Sequence, residues 1–188
     1  MDGIHGLGLC PFTPGGGKVQ FICFDDPPVA VLSDRDILRA IDAKRLRIGG
    51  FRRENLTPNG YDLTIAEVVI IGGKDKTITA GKAKVPPRTR FAVSTLEVVD
   101  LGLDITASLW LRTTWARKGV IAAFGKVDAG FHGTLTLSAF HAGASSPLEL
   151  PVGERFAQIV FEDLSSPAEK AYDERSGHWQ DQKGVRLR

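Results

Sequence analysis

Cysteine is scarce in this chain of 188 residues: there are two, Cys10 and Cys23, both near the N-terminus. Two cysteines exclude a disulfide framework, and as reduced thiols they fit a cytoplasmic protein. The four histidines, His5, His132, His141 and His178, have no zinc-ligand spacing with them, which excludes the cluster that zinc-dependent nucleobase deaminases need. Apolar runs are far too short for a transmembrane helix. The opening residues MDGIHGLGLCPF lack a basic region followed by an apolar core, so no secretory signal is expected. Charge of one sign is missing too. Lys and Arg number 24 against 22 Asp and Glu, so nucleic acid or membrane binding would need a local patch. GGKDKT at 72–77 fails the P-loop pattern, and no G-x-S-x-G elbow occurs.

Glycine and proline are plentiful, at 21 and 10. They separate short runs of Val, Ile, Leu, Thr and Phe, the pattern of many strands joined by turns. The length fits one domain. One helix is expected, over SDRDILRAIDAKRL at 33–46, with Ser33 as N-cap, Asp36 at capping-box spacing and an apolar stripe of Ile37, Leu38 and Ile41. The cations around it (Arg35, Arg39, Lys44, Arg45, Arg47, Arg52, Arg53) read as a solvated face or as an anion-attracting field. From residue 61 the pattern is β: YDLTIAEVVIIGG, KTITAGKAKV, RFAVSTLEVV, ITASLWLR, TLTLSAF, PLELPVG and RFAQIVFEDL. Leu135, Leu137 and Ala139 alternate with Thr134, Thr136 and Ser138, as in a half-buried strand. The expected fold is mainly β, a jelly roll or barrel of about eight or more strands. Residues 1–30 read as an extension in which Lys18 to Phe24 suits a strand, 31–164 as the β domain, and 165–188 as a polar tail that is disordered or orders on a ligand or partner.

Five constellations carry chemistry. In Pro58-Asn59-Gly60-Tyr61-Asp62-Leu63, Asp62 suits a hydrated Mg²⁺ or a turn that bonds its own backbone. In RTTWARKG, the guanidinium of Arg112 and the hydroxyls of Thr113 and Thr114 suit phosphate, or form a polar helical turn. In KVDAGFHG, Asp128 suits a general base and Phe131 a stacking surface; a hairpin turn with a core Phe is the alternative. In GERFAQIVF, Gln158 lies within an apolar strand and must find partners, on a ligand or on a neighbouring loop. In GHWQDQKG, an aromatic, two Gln and a Lys suit an arm closing over a charged ligand, or a frayed end.

Taken in order, NGYDL, RTTWARKG, VDAGFHG and GERFAQIVF with a polar tail resemble the trimeric dUTPase and dCTP deaminase superfamily over residues 31–188. The leading helix, ARKGVIAAFGKVDAGF and QDQKG are similar to the archaeal-type dUTPases of the dCTP deaminase branch. The resemblance implies a distorted β-barrel of the β-clip type, a homotrimer with active sites at subunit interfaces, and a closing C-terminal arm. It implies Asp62 behind a hydrated Mg²⁺, Arg112, Thr113, Thr114 and Arg117 on the phosphates, and Asp128 activating water or near the 3′-hydroxyl. It further implies Phe131 on the deoxyribose, Gln158 near phosphate or base, and Gln182 and Lys183 on the substrate from the arm.

The departures from that pattern bear on the reaction. Deaminases of the family carry a glutamate where this chain has Ser138 in Thr136-Leu137-Ser138. Deamination needs a proton shuttle, and serine with no base beside it is a poor one. The stretch between Gly119 and Asp128 is shorter than in deaminases, His141 stands for an Asn, and the tail lacks the Gly-rich, Ser/Thr-containing form of ordinary dUTPases. The expectation is dUTP pyrophosphohydrolysis, with dCTP deamination or non-catalytic nucleotide binding as alternatives.

Overall fold

A computed structural model describes residues 30–188 of the chain. The proposed strand at Lys18–Phe24 and both cysteines lie outside the described residues. The architecture is built from antiparallel strands. Helix α1 (Asp34–Asp42) comes first, capped as expected: the Ser33 hydroxyl accepts the Asp36 N–H at 3.3 Å and donates to the Asp36 carboxylate at 2.6 Å. It ends earlier than its sequence suggests. Lys44 takes a positive φ of 59°, and β1 (Leu46–Gly49) follows, burying Leu46 and Ile48. A change of period from helical to alternating within one basic stretch hid that boundary.

The remaining strands follow in order: β2 (Leu56–Thr57), β3 (Gly60–Ile71), β4 (Lys76–Ile78), β5 (Lys82–Val85), β6 (Thr89–Thr95), β7 (Val98–Leu101) and β8 (Ile105–Leu111). After the single-turn helix α2 (Thr113–Ala116) come β9 (Val120–Ala122), β10 (Lys126–Val127), β11 (His132–Gly133), β12 (Thr136–His141), β13 (Leu148–Pro151) and β14 (Arg155–Asp163). A last turn, α3, spans Tyr172–Arg175. The largest sheet runs β10-β8-β14-β3-β6-β12-β9, with β2 and β4 also on β3; β1-β7-β11 and β13-β5 form the others. RFAVSTLEVV is two strands in different sheets, because the chain turns at Leu96 and Glu97. The Asp128 turn is not a hairpin. Strand β10 pairs with β8 and β11 with β7, so the turn crosses between sheets.

Strand β3 organises the site. Its first part pairs with β14 and its second with β6, with a break in register on each side of Thr64–Ile65. Tyr61, Leu63 and Ile65 face the core with Phe91, Phe156 and Phe161. Phe156 touches the rings of Phe91, Trp115 and Phe124 at 6.0–6.4 Å. Gly60 is required where it stands: a Cβ there would lie 2.5 Å from the Ile159 carbonyl oxygen. Part of the basic stretch is neutralised by ion pairs: Arg39 with Asp36, Arg45 with Asp104 and Asp163, and Arg47 with Asp100. Among the described residues no helix is long and apolar enough to cross a membrane.

Candidate functional site

The end of β8 and the turn after it form one wall of an open cavity of about 300 Å³, lined by Thr57, Asp62, Trp110, Arg112, Thr113, Thr114 and Gln158, with Leu111 behind them. Cross-strand register explains the grouping. Gln158 on β14 sits opposite Asp62 on β3 and opposite Trp110 on β8, so the three occupy one row on one face of the sheet. Trp115 anchors the turn: it is 2% exposed, and its indole N–H donates to the Arg155 carbonyl at 2.8 Å. With Trp115 held inward, Thr113 and Thr114 are left exposed beside Arg112.

Asp62 is 4% exposed and lies against two guanidiniums, Arg112 Nε at 3.0 Å and Arg155 Nη1 at 3.4 Å, both through Oδ2. Burial pushes its carboxyl above the ordinary value, against the pull of the two arginines. The pair fixes Arg112, which also donates from its backbone N–H to Phe156 and from Nη1 to the Arg155 carbonyl. A planar donor fork held this way, with two hydroxyls beside it, suits phosphate oxygens. Gln158 donates to the Thr57 hydroxyl at 2.8 Å, so the amide braces the neighbouring loop while it lines the cavity.

Direct metal coordination has no donor set here. Among the described residues no group of three or more His, Cys, Asp or Glu could hold a metal ion, and Asp62 is engaged by arginines. A hydrated Mg²⁺ carried on phosphate oxygens does fit, because that ion keeps its waters and Asp62 lines the cavity as an acceptor for them.

Asp128 and Phe131 belong to a different place. Asp128 is exposed and lines a second cavity of about 520 Å³ with Thr106, Leu164, Tyr172 and Arg175. The turn closes through the Phe131 N–H on the Asp128 carbonyl, and Gly130 supplies the positive φ of 80° that it needs. Phe131 is 5% exposed and packs edge-on against Tyr172 at 5.6 Å, so within the subunit its ring face is covered. Thr106 borders the Asp128 cavity and Trp110 the Arg112 cavity. Both are on β8 with the same facing, and four residues of strand separate them by about 13 Å.

The tail is neither frayed nor detached. Gln180 clamps the Asp128 turn, accepting the His132 N–H at 3.0 Å and donating to the Gly130 carbonyl at 3.1 Å. Gln182 is buried, and its carbonyl accepts the Thr134 N–H at 3.0 Å and the Thr134 hydroxyl at 3.1 Å. Lys183 is exposed. Neither residue, nor Arg117, lines the Arg112 cavity. The structure thus unites Asp62, Arg112, Thr113, Thr114 and Gln158, and separates them from Asp128, Phe131, Gln182 and Lys183. Sequence reasoning missed Arg155, Thr57 and Trp110. Arg155 stands in GERFAQIVF three residues before Gln158, and a cation there could have been paired with Asp62; Trp110 looked like an ordinary strand residue.

A family model described as dCTP deaminase-like matches residues 31–164. The chain is 38% identical to a dCTP deaminase of Pyrococcus horikoshii over 138 residues, 73% of this chain and 86% of that protein. It is equally 38% identical, over 158 residues, to a protein of Sulfolobus islandicus rod-shaped virus 1 named a probable deoxyuridine 5'-triphosphate nucleotidohydrolase, covering 84% of this chain and 97% of the relative. The fold is similar to that of a 2'-deoxycytidine 5'-triphosphate deaminase from Agrobacterium tumefaciens, with a TM-score of 0.59 at 17% identity, over 72% of this chain and 48% of that one. With a family model across most of its length and relatives of both names, this chain belongs to the dCTP deaminase-like family of enzymes, which takes in dUTPases.

Proposed function

We propose that the protein is a dUTP pyrophosphohydrolase acting as a homotrimer: dUTP and water give dUMP and diphosphate. The observation that carries this reading is the Arg112 cavity, a braced cationic fork with two free hydroxyls, combined with Ser138. Ser138 is exposed on β12 opposite Ala92, so no carboxyl group stands at the position where a deaminase would need its shuttle. Arg112, Thr113 and Thr114 bind the phosphate chain, Arg117 adds positive charge beside the same turn, and Gln158 holds the cavity's floor. Asp128 takes a proton from water as its oxygen attacks the α-phosphorus in line; the bond to the bridging oxygen breaks and diphosphate leaves with the electron pair. Bound Mg²⁺ supplies charge neutralisation on the phosphates.

One copy cannot supply both halves. The Asp128 cavity and the Arg112 cavity meet β8 at points about 13 Å apart, out of reach for Asp128 to activate a water attacking a phosphorus held beside Arg112, so Asp128 acts on nucleotide gripped by a neighbouring copy, from a turn that the buried Phe131 supports. The exposed Lys183, carried beside the Asp128 turn, approaches the substrate from that side, and the buried Gln182 fastens the arm that carries it. Residues 31–164 form the β domain, and 165–188 an arm belonging to it.

The test is incubation of purified protein with Mg²⁺ and, in parallel, dUTP and dCTP. Diphosphate and dUMP from dUTP, without ammonia from dCTP, are expected. The names of relatives such as that of P. horikoshii favour dCTP deamination as a second reading; ammonia release from dCTP would establish it and overturn the choice made on Ser138.

A further inference from the structure

Glu97 lies in the tight turn between β6 and β7 and takes no part in the chemistry above. Its side chain is fully buried, at 0% exposure. Oε2 accepts the Thr64 backbone N–H at 2.8 Å. Oε1 is the one buried side-chain nitrogen or oxygen among the described residues without a hydrogen-bond partner. An ionised carboxylate in that position would be desolvated with no cation paired to it and one oxygen without a hydrogen-bond partner, which is far more costly than burying the protonated acid.

Its place in the fold gives it a task. Thr64 is where β3 leaves β14 and turns towards β6, and the register breaks beyond it. There the Leu96 N–H donates to the Thr64 carbonyl at 2.8 Å while Glu97 accepts the Thr64 N–H, so the turn stands in for a missing strand neighbour. The Thr64 hydroxyl accepts from Asn55 Nδ2 at 3.1 Å, and the Thr95 hydroxyl holds the Glu97 carbonyl at 2.9 Å. Asp62, two residues back, shares a strand face with Thr64. Arg155, in register with Thr64, is the second guanidinium on Asp62. The corner that Glu97 closes therefore sets the spacing of Asp62, Arg112 and Arg155.

We infer that Glu97 is a positioning residue that works as a neutral, protonated acid: it locks the bend of β3 and so holds the Asp62–Arg112–Arg155 constellation, and its ionisation loosens the anion site. The ionisable or charged groups that act on it are Tyr61 on β3 and Arg52 ahead of the turn at Arg53–Asn55. Tyr61 accepts the Arg52 backbone N–H on its hydroxyl, and Arg52 is exposed and forms no ion pair with Glu97. Burial pushes the Glu97 carboxyl up from its ordinary 4.5. A group raised on folding contributes stability that is complete below the unfolded value and is lost as pH rises through the folded one.

The binding arm of the test rests on the phosphate reading of the Arg112 cavity; the melting arm does not. Wild type, Glu97→Gln and Glu97→Ala are melted from pH 5 to 9, and titrated with inorganic tripolyphosphate by calorimetry at each pH. Wild type should lose melting temperature and tripolyphosphate affinity as pH rises. Glu97→Gln, which cannot ionise, should abolish most of that slope and keep wild-type affinity at low pH. Glu97→Ala should melt about 5 °C or more lower at every pH. A Glu97→Gln protein that keeps the wild-type slope, or is as unstable as Glu97→Ala, overturns the neutral acid. Unchanged tripolyphosphate affinity in Glu97→Ala overturns the positioning role. Failure of wild type to bind tripolyphosphate at any pH overturns the phosphate reading and the positioning role with it, while the melting arm still decides the protonation state.

Discussion

Two crippled copies should make a working site when mixed, if the halves come from different subunits. Arg112→Gln removes the fork yet leaves Asp62 its contact with Arg155, and Asp128→Asn removes the base from an exposed turn. Loss of a positioned base costs about 10²–10⁴-fold in rate, and loss of a charge-assisted phosphate contact about 1.5–3 kcal/mol, roughly 10–150-fold. Each variant alone should therefore be close to inactive under limiting substrate. Equal amounts, unfolded and refolded together, assort at random. A site is whole when its grip comes from an Asp128→Asn copy and its acid from an Arg112→Gln neighbour, one half times one half, or about one quarter of all sites in a cyclic assembly. Diphosphate release should rise to about a quarter of wild type and vary with mixing ratio as the product of the two fractions. If both groups act from one copy, no mixture contains an intact site, and activity stays at the sum of the variants. That result would refute the 13 Å argument and the interfacial site with it.

Trp110 is 61% exposed and borders the Arg112 cavity, whereas Trp115 is buried; a triphosphate should change the intrinsic emission of wild type, and Trp110→Phe should lose most of that change while still binding by calorimetry. Glu162 is held below the ordinary carboxyl value by Lys126 and Ser108, whose donors lie 2.8 and 2.7 Å away. Its stabilising effect is present above the unfolded value of 4.5 and is lost as pH falls through the folded one, so Glu162→Gln should flatten the acid side of a melting-temperature profile. Deleting 178–188 removes four backbone or Gln180 bonds to Gly130, His132 and Thr134. At about 0.5–1.5 kcal/mol each this is a loss of roughly 2–6 kcal/mol, read as a lower melting temperature and faster proteolysis between 128 and 136.

Strands β8 and β12 were legible by their alternation, β3 and β14 only as apolar runs between turn residues because they are buried on both faces, and the cap of α1 because Ser33 and Asp36 lie at the right spacing. The early end of α1 was not legible, since a positive φ at a lysine leaves no mark in composition. The turn residues of the site could be picked out singly, but not their grouping. Asp62, Gln158 and Trp110 meet only through the register of three strands, and register is a tertiary property. Phe131 shows the limit from the other side. An aromatic after an Asp-Ala-Gly turn looks like a stacking surface, yet Tyr172 of the tail covers it, a contact 41 residues away in sequence.

That contact bears on why the reactive groups are divided. Arg112 is fixed by Asp62 and Arg155 in the sheet and by the buried Trp115 of α2 beside it. Asp128 sits on a turn that passes between sheets and has little ladder support of its own, since β10 and β11 are two residues long. The tail supplies what the sheets do not: Gln180 binds both sides of Phe131, Tyr172 packs on its ring, and the Tyr172 N–H donates to the Ala129 carbonyl at 3.0 Å. Each half is thus braced within its own chain, so the proposed assembly would need only to bring two fixed surfaces together and not order two loops at once. On the proposed reading, a carboxylate carried on such a braced turn would close over an anion gripped elsewhere without first collapsing onto its own subunit's arginines, and a subunit in isolation would keep the proposed base and the proposed phosphate grip too far apart to act together.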